Sequence, residues 1–489
     1  MPPVPAGYYR GYFDKENTMK TPMLLVALMM AATGWADEWG RFRGPNGSGI
    51  SEATGLPVEF GTTKNMVWRR EVPFGRSSPI LTADRVVVTG SEGQKLITVC
   101  LDRKTGKVIW QREIVRDRTQ KIYKGNDTAT PTPASDGKNF YVFFPDFGLV
   151  SYGPAGNERW RLKLGPFDSF YGVAASPIVH DSTLVQVCDQ QSGSFIIAVD
   201  KETGKVRWRK ERYKEQKGGL TEGFSTPIVW KPEKGRAQVI VSGAYRIDAY
   251  AIDTGENIWW VGKQGIYAIA APTLANDVVY AISGGSDKPS EETWEKVSGR
   301  LDKNKDGKIS PEELLADKLY ADHFGFLDRN GDGFITAPEL EGILRESVSE
   351  HGLVAVRAGG SGDQTEAHLI WRCKKEYPEV SSPLVYRGVV YMVKDGGIVT
   401  SLNPATGEIF KTGRSKDALE SYFASPVAAD GKIYLISSEG KVSVLKAGAQ
   451  WEVLAVNDLG EECQATPAIG GGFLYIRTAK ALYCFGKKR

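Results

Sequence analysis

The chain has few of the residues that usually announce chemistry. In 489 residues there are five cysteines and four histidines. No two cysteines are adjacent, and His180, His323, His351 and His368 show no metal-ligand spacing. An odd number of cysteines leaves at least one unpaired in a single chain. Cys463 and Cys484 fall in one repeat unit and are close enough in sequence to pair, while burial as small apolar side chains serves equally well for all five. Charge of one sign is also missing. Lys and Arg exceed Asp and Glu by only three, which gives no support for nucleic-acid binding or electrostatic attachment to a membrane. Nothing in the sequence marks a catalytic nucleophile or an acid–base pair.

Long apolar runs are scarce too. Met23–Ala32 is the clearest, and it is too short to span a bilayer. With Lys20 ahead of it and Gly34-Trp35-Ala36 behind, it reads as a secretory signal over Met19–Ala36. Residues 1–36 are therefore expected to be a leader, and the product to be periplasmic or secreted. The first cysteine is Cys100, so a lipid anchor at the cleavage site is not expected.

A repeat fills most of the chain. A small residue followed by proline opens a strand pattern at Pro79, Pro133, Pro177, Pro227, Pro272, Pro383, Pro426 and Pro467. Most steps are 41–54 residues, the spacing of a propeller or similar array; that from Pro272 to Pro383 is 111. Within a unit, short strands are joined by turns such as Asp102-Arg103-Lys104-Thr105-Gly106 and end on an aromatic. These aromatics are Trp68, Trp110, Trp160, Trp208, Trp259, Trp371, Phe410 and Trp451, and packing between neighbouring units is their expected role. Trp68 precedes the first proline, and the last unit stops at Phe485 before its own aromatic strand. The expected fold is therefore all-β: an eight-bladed propeller of four-stranded blades, closed by the N-terminal strand. Residues 37–285 and 351–489 would form it, with 286–350 inserted in one blade.

The insertion carries two twelve-residue loops, Asp302–Glu313 and Asp328–Glu339, that start 26 residues apart. Each follows the EF-hand pattern. Side-chain oxygens come from Asp302, Asn304 and Asp306, and from Asp328, Asn330 and Asp332. Glycine follows at 307 and 333. Lys308 and Phe334 offer backbone carbonyls, Ser310 and Thr336 hydroxyls, and Glu313 and Glu339 close the loops. Two calcium sites are expected, since hard oxygens in this number suit Ca²⁺ better than Mg²⁺. Lys303, Lys305 and Lys308 should weaken the first. Ile309 and Ile335 should pair between the loops. The 14 residues between the loops leave room for one shared helix carrying Leu315, Leu319 and Phe324.

The Thr-Gly-x-x-x-Trp turns resemble the pyrroloquinoline-quinone (PQQ) type of propeller repeat, and Trp39–Gly47 is similar to the start of secreted bacterial proteins of that class. The resemblance implies the propeller and spans both quinoprotein dehydrogenases and scaffolds like the outer-membrane β-barrel assembly propeller. Short blades favour the reading as a calcium-binding, non-enzymatic, monomeric scaffold with a protein partner. The alternative is a PQQ-dependent dehydrogenase of an alcohol or sugar; small-molecule or carbohydrate binding is a third reading. The loops before the repeat prolines carry Arg76, Asp127, Asp168, Tyr171, Glu461 and Glu462. The partner-binding candidates among these loop residues are Glu222, Tyr267, Glu379, Glu420 and Tyr422, expected to ring the mouth of the central channel.

Overall fold

In the computed structural model, residues 39–487 are described, apart from 121, 124, 214–219 and 289. The signal reading and the cleavage site lie outside the described residues. Eight antiparallel sheets form the blades of a propeller. The first runs through Ile80–Leu81, Arg85–Glu92, Lys95–Asp102 and Val108–Val115. The eighth is made from both ends of the chain: Met66–Glu71 pairs with Ala481–Phe485, outside Phe473–Arg477 and Ala468–Gly470. One blade gains a fifth strand, Gly362–Asp363, added parallel to Asn257–Val261.

Two repeated contacts lock blade to blade. The first uses the terminal tryptophans. The indole N–H of Trp68, Trp110, Trp160, Trp208 and Trp371 donates to a carbonyl in the next blade's turn, at Arg103, Pro154, Lys201, Ile252 and Pro404, over 2.9–3.1 Å. Each indole lies flat on that turn's glycine. A Cβ added at Gly106, Gly156, Gly204, Gly255 or Gly407 would come within 2.6–2.7 Å of the ring, and all five have positive φ. Only glycine satisfies both demands. In the same turns Asp102 and Asp200 accept from backbone N–H groups two and three residues on, which fixes the loop shape.

The second contact is a belt of hydroxyls around the central channel. In seven of eight cases the N–H of the residue before a repeat proline donates to the hydroxyl at the same position in the next blade. It runs from Thr466 to Ser78, Thr132, Ser176 and Thr226, and from Ala271 to Ser382, Ser425 and back to Thr466, at 2.9–3.1 Å. Alanine at 271 offers Thr226 no oxygen, so the belt is broken there.

Trp39–Gly49 fills the channel below the belt. Trp39 pairs with Leu81 through both backbone bonds, and the ring of Trp39 packs on Gly44. Arg41 reaches the carbonyl of Pro227, and Arg43 that of Pro383 and the hydroxyl of Thr273, at 2.7 and 2.9 Å. Neither guanidinium has a carboxylate partner among the described residues, and burial pulls each down to about 9. The five cysteines are all free and buried. Cys463 donates instead to the carbonyl of Arg477.

Between Val278–Ser283 and Gly352–Arg357, the second and third strands of their blade, lies the helical insertion: α1 (Trp294–Leu301), α2 (Lys318–Asp322), α3 (Phe324–Leu327) and α4 (Ala337–Ser347). Thr293 caps α1 and Asp317 caps α2. The single shared helix is not formed. A 3₁₀ turn, Glu313–Ala316, precedes two short helices instead. Leu315 and Leu319 are 81% and 67% exposed, while Leu314, Phe326 and Leu327 are buried. The Asp317 side chain accepts from Leu319 and Tyr320 N–H and starts a new helix, which stops one from running through.

Closing the belt should stabilise the ring. Ala271→Ser supplies the missing acceptor and is expected to add about 0.5–1.5 kcal/mol, whereas Ser382→Ala strands a buried N–H and should cost about 1–3 kcal/mol. Thermal or urea unfolding of the two variants checks this; equal or opposite shifts would show that the belt is not a lock.

Candidate calcium module and central cavity

The two loops are shaped by their own backbone. In the first, Asp302 accepts from Asp306 and Gly307 N–H, and Glu313 from Lys303, Asn304 and Ser310 N–H. In the second, Asp328 accepts from Gly331, Asp332 and Gly333 N–H, and Glu339 from Arg329, Asn330 and Thr336 N–H. Donation from Ser310 and its neighbours holds the Glu313 carboxyl below the usual carboxylate range. Ile309 and Ile335 exchange both backbone bonds at 2.9 Å and tie the loops together. Among the described residues, no three His, Cys, Asp or Glu side chains are gathered as a metal cluster. Beside its carboxylates, each loop carries an Asn, a hydroxyl and a backbone carbonyl at the remaining positions of the EF-hand pattern. Hard oxygens throughout match what calcium takes.

The module does not stand apart from the ring. Val297, Leu301, Ile309, Leu314, Phe326, Leu327, Ile335, Leu340 and Ile343 form one buried cluster with Leu220 and Ile266 from the interblade loops. Phe326 packs on Tyr171 and Phe170, with centroids 5.8 and 6.2 Å apart. His323 stacks on Tyr123 at 5.5 Å. The insertion thus lies on the face of the interblade loops.

On that face opens a cavity of about 840 Å³ along the ring axis. Phe42 of the N-terminal segment, the belt hydroxyls and His323 all line it. Tyr123, Tyr171, Phe224, Tyr267, Tyr377 and Phe423 supply its aromatic wall. Arg76 and Glu379 are its only charged side chains among the described residues.

The channel-mouth candidates divide. Tyr267, Glu379, Tyr171 and Arg76 line the cavity. Arg76 is held by Glu462 and Asp127, at 3.4 and 3.9 Å. Glu420 pairs with Lys441 at 2.6 Å, away from it. Tyr422 is buried and donates to the Ala418 carbonyl. Asp168 accepts from Ser192, and Glu461 meets Arg69. Glu222 is buried behind the wall, accepting from the Ser169 hydroxyl and Phe170 N–H at 2.6 and 3.0 Å, and desolvation pushes it up to about 7. Tyr123, Phe224, Tyr377, Phe423 and Phe42 were not marked by the repeat pattern. The belt was visible in sequence as hydroxyl residues before seven of the eight prolines.

Residues 58–193 and 333–488 match the sequence model of a family described as outer membrane protein assembly factor BamB. The chain belongs to this family. Residues 299–316 and 321–344 match the EF hand, and no curated protein matches the chain. The structure resembles BamB from Moraxella catarrhalis at 15% identity, with 86% of this chain and 98% of that one covered and a TM-score of 0.52. It also resembles the quinohemoprotein alcohol dehydrogenase of Comamonas testosteroni at 13%, covering 93% and 81%, with a TM-score of 0.58. A computationally designed protein, Ika8, matches at 11%, covering 89% and 99%, with a TM-score of 0.52. At such identities the likeness shows the fold alone.

Among the described residues the cavity offers a polycarboxylated quinone held through a metal only one arginine, already engaged, and one carboxylate. The cysteines are scattered through the blades, and none lines it.

Glu222 gives a pH prediction. A carboxyl raised from its ordinary 4.5 to about 7 binds more protons folded than unfolded. Its contribution is complete below 4.5 and lost as pH rises through 7. The wild-type chain should therefore lose melting temperature relative to Glu222→Gln across that window, by the equivalent of about 2–3 kcal/mol. Parallel melting curves from pH 4.5 to 7.5 would contradict it.

Proposed function

We propose that the chain is a calcium-binding, non-enzymatic scaffold of the periplasm or cell exterior that holds a protein partner on its interblade-loop face. The observation that carries this reading is the shared core of module and ring: two calcium-type loops are built into the face on which a partner would dock. The same face exposes apolar side chains from its loops, with Leu419, Phe74 and Phe423 at 54%, 44% and 39% exposure. Apolar groups of this size left open on a loop face favour protein contact. The family description as an assembly factor supports a partner outside the cytoplasm. Among the described residues no helix is long and apolar enough to cross a membrane.

Calcium bound only by the folded chain stabilises it by mass action. Calorimetric titration is expected to give two sites, the first weaker because of its lysines. Glu313→Gln with Glu339→Gln should remove the calcium-dependent rise in melting temperature and leave the strand signal in circular dichroism unchanged. An unaltered rise would place the metal elsewhere.

Partner docking has its own test. Leu419→Ser with Phe423→Ser should weaken capture of a co-purified partner at least tenfold, at unchanged melting temperature. Undiminished capture would move the docking surface off this face.

A further inference from the structure

The geometry points to the central cavity as a binding site for a short, neutral saccharide, its rim sharing Phe423 with the partner surface. Its volume, about 840 Å³, lies in the range of built ligand pockets, about 300–1,000 Å³. Three observations set the ligand's chemistry. First, the belt hydroxyls turn one lone pair to the neighbouring blade's N–H, and among the described residues none donates its proton to a protein acceptor. A hydroxyl so used keeps one donor and one acceptor position. All seven line the waist of the cavity, each with its remaining donor and acceptor position left for whatever fills it. That matches a ligand that is itself a set of hydroxyls. Second, the wall above the belt is aromatic. Rings offer flat apolar faces with a negative quadrupole, suited to the axial C–H face of a sugar ring. Third, Arg76 and Glu379 cancel in sign, and Arg76 already has two carboxylates near it. Among the described lining residues no cation is left free to hold an anionic ligand.

The wall is completed by the calcium module. His323 lines the cavity, stacked on Tyr123, and lies five residues before Asp328, the first side chain of the second loop. Phe326, between them in sequence, is packed on Tyr171. Ordering the loop therefore orders the wall, and saccharide and metal should strengthen each other's binding reciprocally. This coupling rests on the calcium reading above; the saccharide site does not.

The test is calorimetry on the full mature chain with glucose, galactose, mannose and N-acetylglucosamine and their β-1,4- or α-1,4-linked oligomers up to four units. At least one should bind one-to-one below 1 mM. Tyr123→Ala and His323→Ala should each weaken it at least tenfold; His323 stands at the module's surface, so its loss spares the ring. No heat from any sugar up to about 10 mM would overturn the site. So would binding indifferent to both substitutions, or tighter binding of glucuronate or glucosamine than of the neutral parent. Chelation in the wild type, set beside Glu313→Gln with Glu339→Gln, separates the two ideas. Saccharide binding that survives both unchanged rejects the coupling and keeps the site.

Discussion

The ring depends on an indole lying on a glycine. A propeller has no single core. Its blades are thin sheets that must bury both faces against neighbours, and the join between them must repeat at a constant angle. Trp68, Trp110, Trp160, Trp208 and Trp371 set that join by filling the space over a turn where any Cβ would strike the ring. The N–H bond to the turn carbonyl then fixes the indole's direction. Near the axis the hydroxyl belt repeats the same logic with smaller groups. One contact holds the blades apart at the rim and the other draws them together at the centre.

Both contacts fail at one boundary. Between the blade ending in Trp259 and the next, Ala271 breaks the belt, and the indole of Trp259 turns to Gln238 of its own blade. The following blade has no Thr-Gly turn there; its third and fourth strands are joined through Gly362–Asp363 and Thr365–His368. Substitute links appear. Gly362–Asp363 pairs with Trp259–Trp260, the Thr365 hydroxyl accepts from Gly262, and Arg372 reaches the Lys263 carbonyl. The same blade carries the EF-hand insertion. The regular locks are absent where the insertion has entered, and irregular chain takes their place.

Much of this was legible in the sequence because repetition amplifies weak signals. One small residue before proline says little, and eight of them, all but one step 41–54 residues apart, give the ring. The loops of the insertion were readable for a different reason: metal ligation fixes residue types at six positions within twelve. The cavity wall was less legible. Tyr123 and Phe423 lie in loops with no period, and neighbours meet there only after the chain has gone round the axis. Glu420 and Tyr422 show the limit. Their loop position suggested the channel mouth, but Lys441 and the Ala418 carbonyl hold them elsewhere. The inter-loop helix failed for a local reason, since Asp317 restarts the chain.

Closure by Met66–Glu71 has a temporal consequence. The strand synthesised first must wait for Ala481–Phe485, some four hundred residues later, before it has a partner. Until then both edges of the growing array stay unpaired and open to other chains. Contacts so distant in sequence make the last step slow. The circle is therefore sealed once, at the end, and a chain truncated anywhere near its C-terminus forfeits the seal rather than one blade.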